Sequence, residues 1–227
     1  MTVSAAFALV AGLSAVPHEA GAALRASTSC TAIAHIGDSI SVGMTSESYL
    51  PREADRLEAQ YERVGARDVR LEISGARSAV ERHDGRPNAV EAAEDLRDEG
   101  FHGCWVIAIG TNDAANVAAG SSYGASERID RVMEVVGDDP VLWVDAKTTT
   151  DDGFYADTHM RLFNQALSKA HARHPTLEVF RWSDVALSSW YSPDGIHYTS
   201  TGYARRAALI AAAVAKAFPA RTATAAD

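Results

Sequence analysis

The segment Thr31–Ser39, TAIAHIGDS, decides the fold. A short run of small and β-branched residues reaches a glycine, and two polar side chains follow at once. The same arrangement recurs at Trp105–Asp113, WVIAIGTND. Short apolar runs bounded by turn residues are typical of strands buried on both faces of a parallel sheet. We therefore predict two strands, Thr31–Ile36 and Trp105–Ile109, each closed by a glycine turn.

Three further strand-like runs alternate with helical segments along the chain. These runs are Val69–Ser74, Val141–Asp145 and Leu177–Trp182. Apolar residues at three- and four-residue spacings predict the helices Ser46–Arg63, Asn88–Asp98, Ser126–Val136, Thr158–Arg173 and Thr199–Phe218. Strands that alternate with longer helices indicate one α/β domain with a mainly parallel five-stranded sheet.

Polar residues follow the first three predicted strands. They are Gly37-Asp38-Ser39, Gly75-Ala76-Arg77-Ser78 and Gly110-Thr111-Asn112-Asp113. In an open parallel sheet, ligands bind beyond the carboxyl ends of the strands. We therefore expect the three turns to face one crevice.

Ser39 follows a strand and opens a helix, which is a suitable place for a nucleophile. A serine hydroxyl attacks poorly at neutral pH unless a base takes its proton and donors hold the developing oxyanion. Asp194 and His197 lie three residues apart, so one short loop can supply the base and its carboxylate. Gly75 can bring a backbone N–H to the crevice, and Asn112 can offer a side-chain amide.

With these four blocks in this order, the chain after residue 30 resembles the SGNH or GDSL hydrolases. The resemblance implies a catalytic triad of Ser39, Asp194 and His197. It also implies an oxyanion hole formed by the amides of Ser39 and Gly75 and the side chain of Asn112. The expected fold is a flavodoxin-like, three-layer α/β/α sandwich, and the expected activity is that of a serine esterase or acyltransferase. No cofactor or metal is expected.

The fate of the acyl group is open at this point. Hydrolysis would make the protein an esterase, and transfer to a glycan hydroxyl would make it an O-acyltransferase. The crevice loops, residues 76–87 and 114–126, are small or charged, which favours short acyl esters on a polar carrier such as cell-envelope carbohydrate. Trp190 and Tyr191, just before Asp194, are either a stacking wall for a sugar or core anchors of the catalytic loop. A catalytically silent carbohydrate-binding module is the third alternative.

Residues 142–147, together with Asn164, are loosely similar to SGNH domains fused to membrane acyltransferases. If the chain transfers acyl groups, we expect a membrane acyltransferase as its partner. Its net charge of -9 argues against a nucleic-acid partner, because such binding depends on clustered basic residues. No stretch is long and apolar enough to predict a membrane span.

The chain is predicted to have a leader at 1–29, the hydrolase domain at 30–219 and a disordered tail at 220–227. Small apolar residues run from Ala5 to Val16, and Ala20-Gly21-Ala22 fits a signal-peptidase site. No basic residue precedes Arg25, which is untypical of a signal peptide. We expect a secreted or cell-envelope protein, or a cytoplasmic one if the leader is not a signal peptide.

The two cysteines, Cys30 and Cys104, each lie just before a predicted strand. If these two strands are parallel neighbours, the thiols lie at nearly the same height at their amino ends. A disulfide is then geometrically suitable and fits an exported protein, with two buried thiols as the alternative.

Overall fold

The sheet is five-stranded and wholly parallel. The computed structural model describes residues 27–221 of the 227. Its strands lie in the order β2-β1-β3-β4-β5. Their bounds are β1 Ala32–Gly37, β2 Asp68–Ile73, β3 Cys104–Ala108, β4 Val141–Val144 and β5 Leu177–Phe180. This confirms the predicted fold class, and each predicted strand is present within about two residues of its expected ends.

Helices cover both faces of this sheet. In the described segment the α-helices are α1 Ser39–Thr45, α2 Leu57–Arg63, α3 Ala89–Asp98, α4 Thr111–Ala118, α5 Ala125–Val136, α6 Asp157–His171, α7 Trp182–Val185 and α8 Ser200–Ala217. Successive strand residues point to opposite faces. Trp105 and Ile107 therefore pack with α3, α5 and α6, whereas Ile33 and Val106 pack with α1, α2 and α8. Two cores separated by one sheet give the expected three layers.

The predicted helix Ser46–Arg63 is wrong in its first half. The chain is extended at Ser46, forms a short 3-10 helix at Glu53–Asp55, and becomes α-helical only from Leu57. Pro51 explains the break, because proline lacks an N–H and disfavours the helical conformation of the residue before it. The helix that carries the nucleophile candidate, α1, is a separate element that ends at Thr45.

Cys30 and Cys104 form the expected disulfide, with their Cα atoms 5.6 Å apart. Because β1 and β3 are parallel neighbours with Ile33 opposite Cys104, the bridge joins their amino ends. Nearby, Thr28 and Ser29 donate backbone hydrogen bonds to Val64 and Phe218. The rest of the predicted leader, residues 1–26, and residues 222–227 of the predicted tail lie outside the described residues.

The strand register brings the three predicted crevice turns to one edge. Gly37 pairs with Ile73 on one side and with Ala108 on the other. The polar blocks begin within three residues of this row, at the carboxyl ends of the strands. Between residues 27 and 221, no helix is long and apolar enough to span a bilayer.

Candidate active site

The chain turns sharply from β1 into α1 at Gly37-Asp38-Ser39. A side chain at Gly37 would overlap Ser41, so the turn requires glycine. Asp38 is the N-cap of α1, and its Oδ1 accepts the backbone N–H of Ile40 at 2.9 Å. This cap holds Ser39, the first residue of α1, at the mouth of the crevice.

Asp194 and His197 lie on one tight loop between the 3-10 helix Ser188–Trp190 and α8. Asp194 Oδ1 accepts the backbone N–H groups of Ile196 and His197, both at 2.9 Å. Gly195 adopts a φ of +68°, which favours glycine, and its carbonyl accepts the Thr149 N–H at 2.8 Å. The loop therefore fixes the carboxylate and the imidazole relative to each other.

The structure brings Ser39, His197 and Asp194 into one hydrogen-bonded chain. Ser39 Oγ lies 2.9 Å from His197 Nε2, and His197 Nδ1 lies 2.7 Å from Asp194 Oδ2. An ionised carboxylate only accepts hydrogen bonds, so Nδ1 carries the proton and Nε2 can accept from the serine hydroxyl. Partial burial of Asp194 opposes its ionisation, but the hydrogen bonds from Ile196 and His197 outweigh this and lower the pKa of its carboxyl.

The predicted oxyanion donors also meet at this edge. Ser39 and Gly75 each lie two residues beyond the paired row that contains Gly37 and Ile73. Asn112 Nδ2 donates to the Arg77 carbonyl at 3.1 Å and approaches Asp38 Oδ2 at 3.5 Å. Asn112 thus lies between the loop that carries Gly75 and the residue that precedes Ser39.

Packing among the described residues does not require a glycine at position 75. A Cβ at this position would meet only Arg86 Nη1, at an ordinary contact distance of 3.7 Å. Gly110 differs, because its φ of +139° and the nearby Phe163 ring exclude a side chain. The turn before Asn112 therefore needs glycine for the fold, whereas the position of Gly75 has space for a side chain.

Sequence reasoning missed Tyr155, which lies in the loop before α6. Its hydroxyl donates to Asn112 Oδ1 at 3.1 Å. With Oδ1 accepting from Tyr155 and Nδ2 donating to Arg77, the orientation of the Asn112 amide is determined by its partners. No local motif marks Tyr155, since it contacts Asn112 across 43 residues of chain.

The two aromatic residues before Asp194 differ in exposure. Tyr191 is only 7% exposed, and its hydroxyl donates to the Lys147 carbonyl at 3.2 Å. Trp190 is half-buried and stacks on Trp182 with ring centroids 5.7 Å apart. A sugar has no open face of Tyr191 to stack on, so of the two alternatives the structure favours a core anchor over a stacking wall for Tyr191.

A small polar cavity of about 180 Å³ adjoins Asn112. Its lining includes Ser78, Glu81, Asn116 and Tyr155. A larger cavity of about 720 Å³ lies between α6 and α7 and contains no member of the Ser39 chain. Size alone therefore does not identify the site. The part of the chain that the structure describes has no cluster of three His, Cys, Asp or Glu side chains suited to a metal.

Known structures share this fold. The catalytic domain of peptidoglycan O-acetyltransferase A from Streptococcus pneumoniae is 16% identical, with 83% of this chain and 92% of that chain covered and a TM-score of 0.58. A carbohydrate acetylesterase from Sinorhizobium meliloti is 19% identical, with 82% and 99% covered and a TM-score of 0.62. A lipase/acylhydrolase from Enterococcus faecalis is 16% identical, with 84% and 98% covered and a TM-score of 0.58. At these identities the likeness shows the fold alone.

Sequence comparison supplies the family. No curated protein sequence matches the chain. A family model does match, over residues 35–205, and this range includes every residue of the Ser39, Gly75, Asn112 and Asp194–His197 blocks. The chain therefore belongs to the GDSL-like lipase/acylhydrolase family.

Proposed function

We propose that this protein is a serine-dependent carboxylic-ester hydrolase that forms an acyl-enzyme on Ser39. The observation that carries the proposal is the continuous hydrogen-bonded chain from Ser39 Oγ through the His197 ring to Asp194. An alcohol, a base and an orienting carboxylate at 2.9 Å and 2.7 Å satisfy the geometric requirement for nucleophilic acyl transfer. Family membership supports the same reaction class.

In the proposed reaction, His197 Nε2 takes the Ser39 proton as Oγ attacks the ester carbonyl carbon. Asp194 keeps Nδ1 protonated and stabilises the imidazolium that forms. His197 then gives the proton to the departing alcohol, which leaves an acyl group on Oγ. Water attacks this acyl group by the reverse sequence and releases the acid.

The developing oxyanion would be held by the amides of Ser39 and Gly75 and by Asn112 Nδ2. One N–H of Nδ2 is used by the Arg77 carbonyl, whereas the other has only a long, 3.5 Å contact with Asp38. A negative oxygen in the crevice can replace that weak contact. The hydrogen bond from Tyr155 to Asn112 Oδ1 supports this role, because it fixes the amide with its nitrogen toward Arg77 and Asp38.

The proposed substrates are short-chain acyl esters on a polar carrier, including cell-envelope carbohydrate. The cavity next to Asn112 has a mostly polar lining that includes Ser78 and Asn116, which supports a polar carrier rather than a long alkyl chain. Two of the fold neighbours are described as acting on carbohydrate, one as an acetylesterase and one as a peptidoglycan O-acetyltransferase. Export of the protein belongs to the proposal and is supported by the Cys30–Cys104 disulfide.

The test is labelling of the protein with a fluorophosphonate, followed by assays with acetyl and palmitoyl esters. We expect one labelled serine, and we expect Ser39→Ala to abolish labelling and to lower acetyl-ester turnover by about 10³-fold or more. Ser48→Ala, at an exposed serine nine residues away, is the matched control and should change neither. Normal turnover by Ser39→Ala would refute the assignment.

Transfer to a glycan is the second candidate function, favoured by the fold shared with a peptidoglycan O-acetyltransferase. Product analysis with an acceptor glycan present separates the two reactions, because transfer gives an acylated sugar and hydrolysis gives free acid. A membrane acyltransferase would then be the expected partner. Absence of any labelling at Ser39 would instead favour a catalytically silent carbohydrate-binding module.

A further inference from the structure

The loop between β2 and α3, residues 74–88, has no strand or helix of its own. It nevertheless carries Gly75, whose amide must stay within hydrogen-bond distance of an oxyanion that Asn112 also contacts. Oxyanion donors are effective only when they are held in place before the charge develops. Something outside the loop must therefore fix it relative to α4.

Two hydrogen bonds from the start of α4 hold the first half of this loop. Asn112 Nδ2 donates to the Arg77 carbonyl at 3.1 Å. Asp113 Oδ1 accepts the Ala79 backbone N–H at 2.8 Å. Both contacts bind the loop backbone, so they constrain the path of the chain just after Gly75.

Glu81 provides a third and stronger attachment. Its two carboxylate oxygens accept from both Nη atoms of Arg128 and from Ser78, Ser121 and Asn116. Partial burial opposes ionisation of Glu81, but the hydrogen bonds from Arg128, Ser78 and Ser121 outweigh it and lower its pKa to about 2. A carboxylate with five donors has no free lone pair for acid–base chemistry, so its role is to hold the loop.

Arg128 connects this carboxylate to α4. Its side chain is fully buried on α5, with Nη1 lying 3.1 Å from Asp113 Oδ1 and Nε donating to the Tyr123 carbonyl at 3.0 Å. One guanidinium thus links Glu81 in the loop to the residue next to Asn112. We call Arg128, Glu81 and Asp113 the Arg128 clamp.

The Arg128 clamp is not expected to contribute much to the free energy of unfolding. Burying charged groups is costly, and well-packed apolar residues often stabilise a fold as well as a buried ion pair does. Burial raises the pKa of Asp113 to about 6, against the hydrogen bond from Ala79 and the charge of Arg128. Among the described residues, Asp113 Oδ2 has no hydrogen-bond partner. What the clamp does supply is a defined position of the loop on α4.

We propose that Arg128 is a positioning residue that aligns the Gly75 amide with Asn112 by fixing the loop on α4. The inference rests on the proposed ester chemistry at Ser39, because it assigns the clamp to the oxyanion hole of that reaction. Arg128 does not touch the reacting atoms. Its effect is transmitted through Glu81 and Asp113.

The first experiment compares Arg128→Met with Arg97→Met. Arg97 is also tied to a carboxylate, Asp139 at 2.6 Å, and to the Val135 and Phe101 carbonyls, but it lies at the amino-terminal edge of the sheet. We expect both variants to lower the melting temperature. Only Arg128→Met should reduce kcat on an acetyl ester, by about 10- to 100-fold, with KM changed less than about threefold. Equal kcat for the two variants would overturn the proposal.

A double-mutant cycle with Asn112→Ala separates positioning from general destabilisation. Asn112→Ala alone should lower kcat by about 10²-fold because it removes an oxyanion donor. If the clamp acts through the oxyanion hole, adding Arg128→Met should then cost less than about threefold more. Fully additive losses in kcat would contradict the assignment. If Arg128→Met fails to fold, Glu81→Gln takes its place in both experiments.

Hydrogen exchange gives a readout that does not need activity. Arg128→Met should increase exchange in residues 74–81, and Arg97→Met should leave that segment unchanged. Unchanged exchange in Arg128→Met would overturn the clamp even if the wild-type enzyme is active. A wild-type protein that neither labels nor hydrolyses esters would overturn the proposed function, and with it the assignment of the clamp to an oxyanion hole, whatever the exchange result.

Discussion

Asp38 is a buried carboxyl group that also caps a helix, although burial disfavours the charged form of a carboxylate. It is almost fully buried, yet its carboxylate caps α1 through the Ile40 N–H directly beside Ser39. Burial raises the pKa of Asp38 to about 6, although the Ile40 hydrogen bond and the charges of Arg206 and His197 act in the opposite direction. The carboxyl that caps the nucleophile helix therefore titrates near pH 6.

Stability should accordingly depend on pH through Asp38. Between its ordinary pKa of 3.8 and the folded value of about 6, the folded state binds more protons, so stability falls as pH rises through this window. Asp38→Asn keeps a capping oxygen but does not titrate. Relative to this variant, the wild-type free energy of unfolding should drop by roughly 2 kcal/mol between pH 4 and pH 7. Urea unfolding of both proteins at four pH values measures this change. The same pH dependence of the unfolding free energy in the two proteins would contradict the prediction.

Single residues also show where sequence reasoning works and where it stops. Ser39, Asn112 and the Asp194–His197 pair were predictable because each lies in a short local motif at a strand end or in one loop. Tyr155 and Arg128 were not, because their contacts with Asn112 and Glu81 span 43 and 47 residues. A lone tyrosine in a loop, or an arginine on an amphipathic helix, carries no local signal of such a role.

At the level of elements, α1 is held in place by a close contact with α8. It has only seven residues, and Gly43 lies directly against the ring of Tyr203 on α8. Tyr203 is buried, with the Tyr49 and Tyr198 rings at centroid distances of 4.9 Å and 5.7 Å. Because the Tyr203 ring is packed against these neighbours, its contact with Gly43 determines the position of α1 and therefore of Ser39.

Gly43→Ala should therefore damage both stability and catalysis. The new Cβ would overlap the Tyr203 ring, and such overpacking costs about 1–3 kcal/mol. Displacement of α1 should also lower kcat, because Ser39 lies one turn away on the same helix. Gly124→Ala is the control, since its Cβ would meet nothing within 4 Å. Thermal melts and acetyl-ester kinetics test both variants, and a Gly43→Ala protein with wild-type kcat would refute the argument.

The elements themselves were predictable to different degrees. The inner strands β3 and β4 were predictable because buried parallel strands read as uninterrupted apolar runs, such as WVIAI and VLWV. The edge strands β2 and β5 are partly exposed and alternate apolar with charged residues, and this alternation is also typical of a strand. The helix predicted at Ser46–Arg63 was wrong up to Leu57. The prediction followed the spacing of apolar residues and ignored Pro51, which interrupts a helix. Helix α4 was missed, since its eight residues from Thr111 follow a glycine turn and had been interpreted as loop.

Across the whole molecule, the candidate site and the disulfide occupy opposite ends of the same two strands. β1 and β3 end at Gly37 and Ala108, next to the crevice, and their amino ends lie beside Cys30 and Cys104. The bridge is thus separated from Ser39 by the full length of β1. It stabilises the frame on which the site is built and takes no part in the proposed chemistry.

This separation predicts that the disulfide affects stability without affecting turnover. The bridge closes a segment of 74 residues, and removing such a constraint through Cys30→Ala/Cys104→Ala should cost about 2–4 kcal/mol. Denaturant unfolding should show this loss, while kcat on an acetyl ester stays within about twofold below the melting temperature. Dithiothreitol should destabilise the wild type to the level of the double variant and leave the variant unchanged. A folded variant with strongly reduced kcat would mean that the amino-terminal ends of β1 and β3 help to set the geometry at Ser39.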